Sequence, residues 1–93
     1  MVELSELERR IIQAAERNAD CLTDSERSKI RDLVMHNESG VAYEMLCEQL
    51  YERECQISRA NLDDLRELGE SLGISYGTIP LWEAELRDRE QSQ

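Results

Sequence analysis

Apolar residues recur along the chain at intervals of three and four, and no segment alternates apolar and polar positions in the manner of a strand. One Pro and four Gly are too few to interrupt this periodicity often. The pattern predicts an all-α fold, a small single-domain bundle of four to five helices over residues 1–90. The polar stretch from Arg87 is expected to fray, and residues 91–93 are expected to form a frayed tail.

The first two helices are predicted from their buried stripes and from one capping signal. The first spans about residues 3–19, with Glu6 and Arg10 forming an i,i+4 pair on its exposed side. The second begins at the run Thr23-Asp24-Ser25-Glu26, which has the spacing of a capping box, and ends near residues 36–37.

Three further helices follow. The third is predicted over about residues 40–53. The fourth is capped by Ser58 and ends at Gly73, which stands where a left-handed residue is expected. Gly69 interrupts this helix, and the simplest explanation is the close approach of another backbone. Pro80 opens a short fifth helix.

The charge balance distinguishes a nucleic-acid partner from a basic protein partner. The 93 residues include 21 Asp and Glu against 11 Lys and Arg, for a formal net charge of −10. This balance argues against direct binding of nucleic acid, because phosphate affinity comes from Lys and Arg. It favours a basic protein partner. The first twenty residues hold five acids and no apolar run, so neither a signal peptide nor a membrane span is expected, and we expect a cytoplasmic protein.

The residues that carry catalytic or metal chemistry are few. Cys21, Cys47 and Cys55 share no Cys-x-x-Cys spacing and are predicted to be reduced thiols. His36, the only histidine, is predicted to be a surface residue or a helix C-terminal cap. A Cys–His nucleophile pair has no local support, and no calcium loop, zinc pattern or phosphate-binding glycine loop is present. We therefore expect no enzyme activity, no metal and no cofactor.

Negative charge is concentrated in one stretch of the chain. Residues 38–55 contain five glutamates against Arg53 alone. At 100° per residue, Glu44, Glu48 and Glu52 form one stripe on the third helix. The fourth helix is predicted to turn its acids, among them Asp64, away from its leucines.

Two hypotheses account for these faces. In the first, they serve only as solvated surface. In the second, they form a recognition surface on which acids meet a basic patch and apolar neighbours supply contact energy. The partner-binding residues predicted by the second hypothesis are Glu44, Glu48, Glu52, Met45, Tyr51, Asp63, Glu67 and Glu70. The region around Trp82 with Glu83, Glu85 and Asp88 is the next choice. As large side chains, Tyr43, Tyr51 and Trp82 are also each expected in the core of so small a bundle.

A segment of about 36–74 resembles a known family. The run ESGVAYEMLCEQLYE from Glu38 to Glu52, followed by Ile57-Ser58, is similar to MafI-type immunity proteins of bacterial polymorphic toxin and contact-dependent inhibition systems. It departs from their pattern where Ser39 separates the acid from the glycine. The resemblance implies a cytosolic antitoxin that binds the C-terminal toxin domain of a delivered effector, commonly a nuclease, and blocks its active site.

Two alternatives from other classes stay open. Acyl carrier proteins are small acidic bundles with a modified serine at a helix start, where this chain has Asp24-Ser25. However, Glu26 replaces their leucine, and helix capping is expected to explain this serine. The chain could also be an acidic regulatory adaptor that masks a DNA-binding protein. In each case we expect a monomer or a weak dimer.

Overall fold

The computed structural model of the protein describes residues 3–91, which form five α-helices joined by short turns. The helices are α1 (Glu6–Arg17), α2 (Asp24–Met35), α3 (Ser39–Glu52), α4 (Arg59–Leu72) and α5 (Thr78–Gln91), and a 3-10 turn spans Ala19–Cys21 between α1 and α2. No strand occurs between residues 3 and 91, so the predicted all-α bundle is confirmed. Residues 92–93 of the predicted frayed tail lie outside the described residues.

Capping residues set the start of three helices. Ser5 and Glu8 form a capping box, in which Ser5 Oγ accepts from Glu8 N at 3.1 Å and Glu8 Oε1 accepts from Ser5 N at 2.8 Å. This box starts α1 three residues later than predicted. The box predicted from Thr23 and Glu26 is present at the start of α2, and Ser58 caps α4.

Left-handed residues end three helices. Asn37, Glu54 and Gly73 have φ values of 62°, 53° and 72° and follow α2, α3 and α4 in that order. After each one the chain turns back onto the helix; Cys55 N, for example, donates to Leu50 O at 3.0 Å. Gly73 confirms the predicted terminator. Glu54 is the unusual member, because this conformation costs about 1–2 kcal/mol and is adopted routinely only by glycine and at times by asparagine or aspartate.

The core is built around α3, which contacts each of the other four helices. Ala42, Tyr43, Leu46, Cys47 and Leu50 are fully buried on it. Trp82 of α5 is also buried, so the core positions predicted for Tyr43 and Trp82 are confirmed.

Gly69 allows α3 and α4 to approach closely. A Cβ at this position would lie 2.6 Å from Tyr43 Oη and 2.9 Å from the backbone oxygen of Ile74. Tyr43 Oη donates to Leu65 O at 2.8 Å. The predicted close approach is confirmed, but the backbone involved is the turn at the end of α4 itself, and the nearest atom belongs to the Tyr43 side chain of α3.

Two buried asparagines join α1 to α4. Asn61 Nδ2 donates to Asn18 Oδ1 at 2.7 Å, and Asn18 Nδ2 donates to Ala14 O at 2.8 Å. Both residues are more than nine-tenths buried. Because buried amides need partners, each asparagine satisfies the other.

The prediction of three reduced thiols is wrong for Cys21 and Cys55. These residues form a disulfide, with 6.0 Å between their Cα atoms. They are 34 residues apart, and they meet because α1 and α2 pack against α3, which brings the turn after α1 beside the turn after α3. Cys47 is a free thiol, and burial raises its pKa to about 12.

Helix α5 is longer than predicted. It begins at Thr78 and continues to Gln91, with Pro80 in its first turn, where a missing N–H costs no helical hydrogen bond. Its last turn is attached to the start of α4, because Arg59 pairs with Glu90 at 2.5 Å. Residues 87–91 thus belong to a helix, and their fraying stays a prediction.

Candidate functional site

Three glutamates form an exposed stripe on α3, which we call the acidic stripe: Glu44, Glu48 and Glu52. Their spacing of four residues places them one above the other on the helix, as predicted. Among the described residues, none of the three takes part in an ion pair. Their charges therefore remain available to a partner.

The acidic stripe borders the loop between α4 and α5. Tyr76 of this loop packs edge-on against Tyr43, with 6.5 Å between the ring centroids. Burial raises the pKa of Tyr76, and the carboxylates of Glu48, Glu44 and Glu52 raise it further. The three carboxylates therefore act together on one neighbouring side chain.

The apolar residues beside the acidic stripe differ in exposure. Tyr51 is 38% exposed, so it is not the core residue expected from its size, and its ring lies 6.2 Å from that of Trp82. Met45 is half-buried against the core. Tyr51 is therefore the better placed of the two predicted apolar anchors, and Val41 at the far margin is 49% exposed.

Two of the acids on α4 are neutralised by α1. Asp64 accepts from Arg10 and from Arg17, each at 2.8 Å, and Glu67 lies 3.3 Å from Arg10. Arg10 thus pairs with α4 and not with Glu6 as predicted. Partial burial acts to raise the pKa of Asp64, but the hydrogen bonds from the two arginines outweigh it and lower the pKa. This part of α4 does not face solvent as a bare acidic surface.

Arg66 neutralises further acids on the side of α4 that meets α5. It pairs with Asp63 at 2.5 Å and also with Glu83 of α5. Glu70 is exposed, forms no ion pair within residues 3–91, and borders a small cavity of about 360 Å³ beside Tyr76. Among the predicted residues of α4, Glu70 alone takes part in no ion pair within the part of the chain that the structure describes.

A groove of about 820 Å³ lies between the end of α3, the following turn and α5. Its lining, which we call the acidic groove, consists of Tyr51, Glu52, Glu54, Cys55, Gln56, Trp82, Glu85, Asp88 and Arg89. Four carboxylates against one guanidinium give this lining a formal charge of −3. The guanidinium belongs to Arg89, which donates to the backbone oxygen of Ile57 at 2.9 Å.

The acidic groove joins the two surfaces that the sequence presents as separate choices. Tyr51 and Glu52 come from the first choice, and the Trp82 region comes from the second. Glu83 is not part of it, because this residue pairs with Arg66. The residues that the turn after α3 contributes to the acidic groove were not predicted, since helical periodicity carries no information on where a turn folds.

The remaining candidates for chemistry are placed as follows. His36 is exposed and follows α2 directly, with Nδ1 at 2.7 Å from Asp32 O, which confirms the predicted helix cap. Thr23 caps α2, so capping does not explain Ser25, which lies exposed in the first turn. Within residues 3–91 no group of three or more potential ligands could hold a metal ion, and no helix has the length and apolar character needed to cross a bilayer.

Comparisons with protein families, with curated proteins and with solved structures found no match to this chain. The resemblance to MafI-type immunity proteins therefore stays a prediction from the residues quoted above.

Proposed function

We propose that this protein is an immunity protein that binds and neutralises the basic C-terminal toxin domain of a bacterial polymorphic or contact-delivered toxin. The cognate toxin in this proposal is a nuclease, and the immunity protein acts in the cytoplasm without enzyme activity of its own. The observation that carries the proposal is the acidic stripe, whose three carboxylates stand in line on α3 without an ion pair among the described residues.

An unneutralised line of like charges is unfavourable in the isolated protein. Glutamates at i,i+4 destabilise a helix by roughly 0.2–0.5 kcal/mol per pair, and the stripe contains two such pairs, Glu44 with Glu48 and Glu48 with Glu52. A basic partner converts this repulsion into attraction. Nuclease active sites offer such a surface, because they bind phosphate through Lys and Arg.

The acidic groove adds an aromatic contact surface to the charge of the acidic stripe. Tyr51 is exposed at its edge and rests against Trp82, so a partner side chain that enters the groove meets an aromatic surface as well as carboxylates. Aromatic residues dominate contact energy at interfaces, and the surrounding charges speed the encounter. Glu52 belongs to both surfaces and makes them continuous.

The test uses the reading frame next to this one, which in this proposal encodes the toxin domain. Co-expression of the two proteins should protect cells, and the purified proteins should associate at a rate that falls steeply between about 50 and about 500 mM salt, because screening shortens the range of attraction. If the association rate does not change with salt concentration, the acidic stripe and the acidic groove do not take part in recognition. A partner that proves to be a DNA-binding regulator would favour the adaptor instead.

Single charge reversals locate the surface. Glu44→Lys and Glu48→Lys should each weaken binding at least about tenfold, because each leaves a charge facing like charges across a desolvated contact. Asp32→Lys is the matched control: it changes the net charge equally but lies exposed on α2. If the control weakens binding as much as the stripe variants, net charge and not the acidic stripe determines recognition.

A further inference from the structure

The disulfide between Cys21 and Cys55 lies at the edge of the acidic groove. Cys55 is part of the groove lining, and both cysteines are only partly buried. This partial exposure, in contrast to the full burial of Cys47, is compatible with access by an external thiol. Exchange requires such access, because the attacking thiolate must reach one of the two sulfurs.

Both cysteines belong to turns and not to α-helices. Cys21 is the last residue of the 3-10 turn, and Cys55 directly follows Glu54, the residue held in the left-handed conformation. On the chain beside them, Leu22 and Ile57 are buried in the core. Opening the disulfide frees the two turns from each other while these buried neighbours keep both segments attached to the bundle.

We infer that Cys21–Cys55 is a reversible redox site that controls the shape of the acidic groove. A thiolate of an external dithiol attacks one sulfur of the bond, forms a mixed disulfide and releases the other cysteine as a thiolate. The second thiol of the reagent then resolves the mixed disulfide. The reagent leaves as a disulfide, and the two cysteines have gained two electrons and two protons. A disulfide reagent reverses the reaction.

The consequence for the groove follows from the position of Glu54. With the bond closed, Cys55 is tied to the turn after α1, and Glu54 is fixed next to it in the groove lining. With the bond open, the turn after α3 is released and Glu54 can leave its unfavourable backbone conformation. Cys47 does not take part, because it is fully buried and burial raises its thiol pKa to about 12.

The role of this redox site in the cytoplasm depends on the proposed function. Cytoplasmic thiols are kept reduced, and the disulfides that do form there are mostly transient and redox-sensing. A partly exposed disulfide in a cytoplasmic immunity protein is therefore a means of changing partner affinity with redox state, with the oxidised form presenting the shaped groove.

The first experiment needs no partner. In the native oxidised protein, an aromatic disulfide reagent should find no reactive thiol, and after treatment with dithiothreitol and desalting it should find two. The far-UV circular dichroism should stay helical, while the emission of Trp82, the only tryptophan, should change because it lines the same groove. Cys47→Ser should behave as the wild type. Unfolding on reduction, an unchanged Trp82 emission or a failure to release thiols would each overturn the inference.

The second experiment measures binding to the toxin domain. The reduced protein and the Cys21→Ser/Cys55→Ser variant should both bind at least about fivefold more weakly than the oxidised protein, in the usual range of coupling between two sites. Equal affinity of the oxidised and reduced forms would overturn the inference and leave the proposed function standing. Absence of binding in the oxidised form would refute the proposed function, and the thiol count and Trp82 emission would still decide the redox inference.

Discussion

Reversing the middle charge of the acidic stripe should stabilise the isolated protein. Glu48 lies between Glu44 and Glu52, so Glu48→Lys converts two repulsive i,i+4 contacts into two attractive ones. Each contact changes from about 0.2–0.5 kcal/mol unfavourable to a similar favourable value. The new lysine pairs better with Glu44 than with Glu52, because an i,i+4 pair is stronger when the glutamate is N-terminal to the lysine. We therefore expect a gain of about 1 kcal/mol in the free energy of unfolding, which for a domain of this size raises Tm by roughly 4–8 °C.

Urea denaturation at two salt concentrations checks this value. The gain should be largest at about 20 mM salt and should shrink at about 500 mM, because the pairs are exposed and screened. Glu48→Gln removes the repulsion without adding attraction and should give about half the gain. If Glu48→Lys is no more stable than the wild type at low salt, the three carboxylates do not repel one another, and the physical basis of the acidic stripe is wrong.

Three further predictions concern the bundle itself. Gly69→Ala should destabilise the protein by about 1–2 kcal/mol in urea, because overpacking against Tyr43 costs about 1–3 kcal/mol and outweighs a helix-propensity gain of about 0.5–1 kcal/mol; an unchanged midpoint would contradict the close contact. Partial burial acts to raise the pKa of Asp64, but hydrogen bonds from Arg10 and Arg17 outweigh it and lower the pKa. The charged carboxylate therefore stabilises the fold above its unfolded pKa of about 3.9, and this stabilisation is lost as the pH falls through the folded pKa. The stability difference between the wild type and Asp64→Asn should accordingly shrink below about pH 4 in acid titrations, and a constant difference would show that the ion pair does not carry it. Glu54→Gly should raise the free energy of unfolding by about 0.5–1 kcal/mol, since glycine adopts the left-handed conformation without the Cβ penalty; a lower thermal midpoint would argue against that conformation.

Features that depend on neighbouring residues could be predicted from the sequence. The capping box at Thr23 and Glu26, the cap at Ser58 and the terminator at Gly73 each act within a few residues, so their spacing is visible along the chain. The acidic stripe on α3 is of the same kind, because helical geometry alone aligns residues four apart.

Features that depend on which helices pack together could not be predicted. The pairing of Cys21 with Cys55 and the neutralisation of Asp64 by Arg10 link residues 34 and 54 positions apart. Periodicity identifies a polar face but does not show whether another helix places an arginine against it. The last turn of α5 was missed for the same reason, since its attachment depends on Arg59 of α4.

The asparagine pair between α1 and α4 restricts how these two helices can be assembled. Apolar side chains pack acceptably in several offsets, whereas the amides of Asn18 and Asn61 meet in one. Sliding α1 by a single turn, about 5.4 Å, would break the hydrogen bonds between the two amides and leave Asn18 only its bond to Ala14 O, at about 1–3 kcal/mol for each buried polar group left without a partner. The pair thus selects one arrangement of the bundle over its near-equivalents. Asn18 and Asn61 should therefore be exchanged together, because an apolar residue at one position alone leaves the other amide buried without its partner.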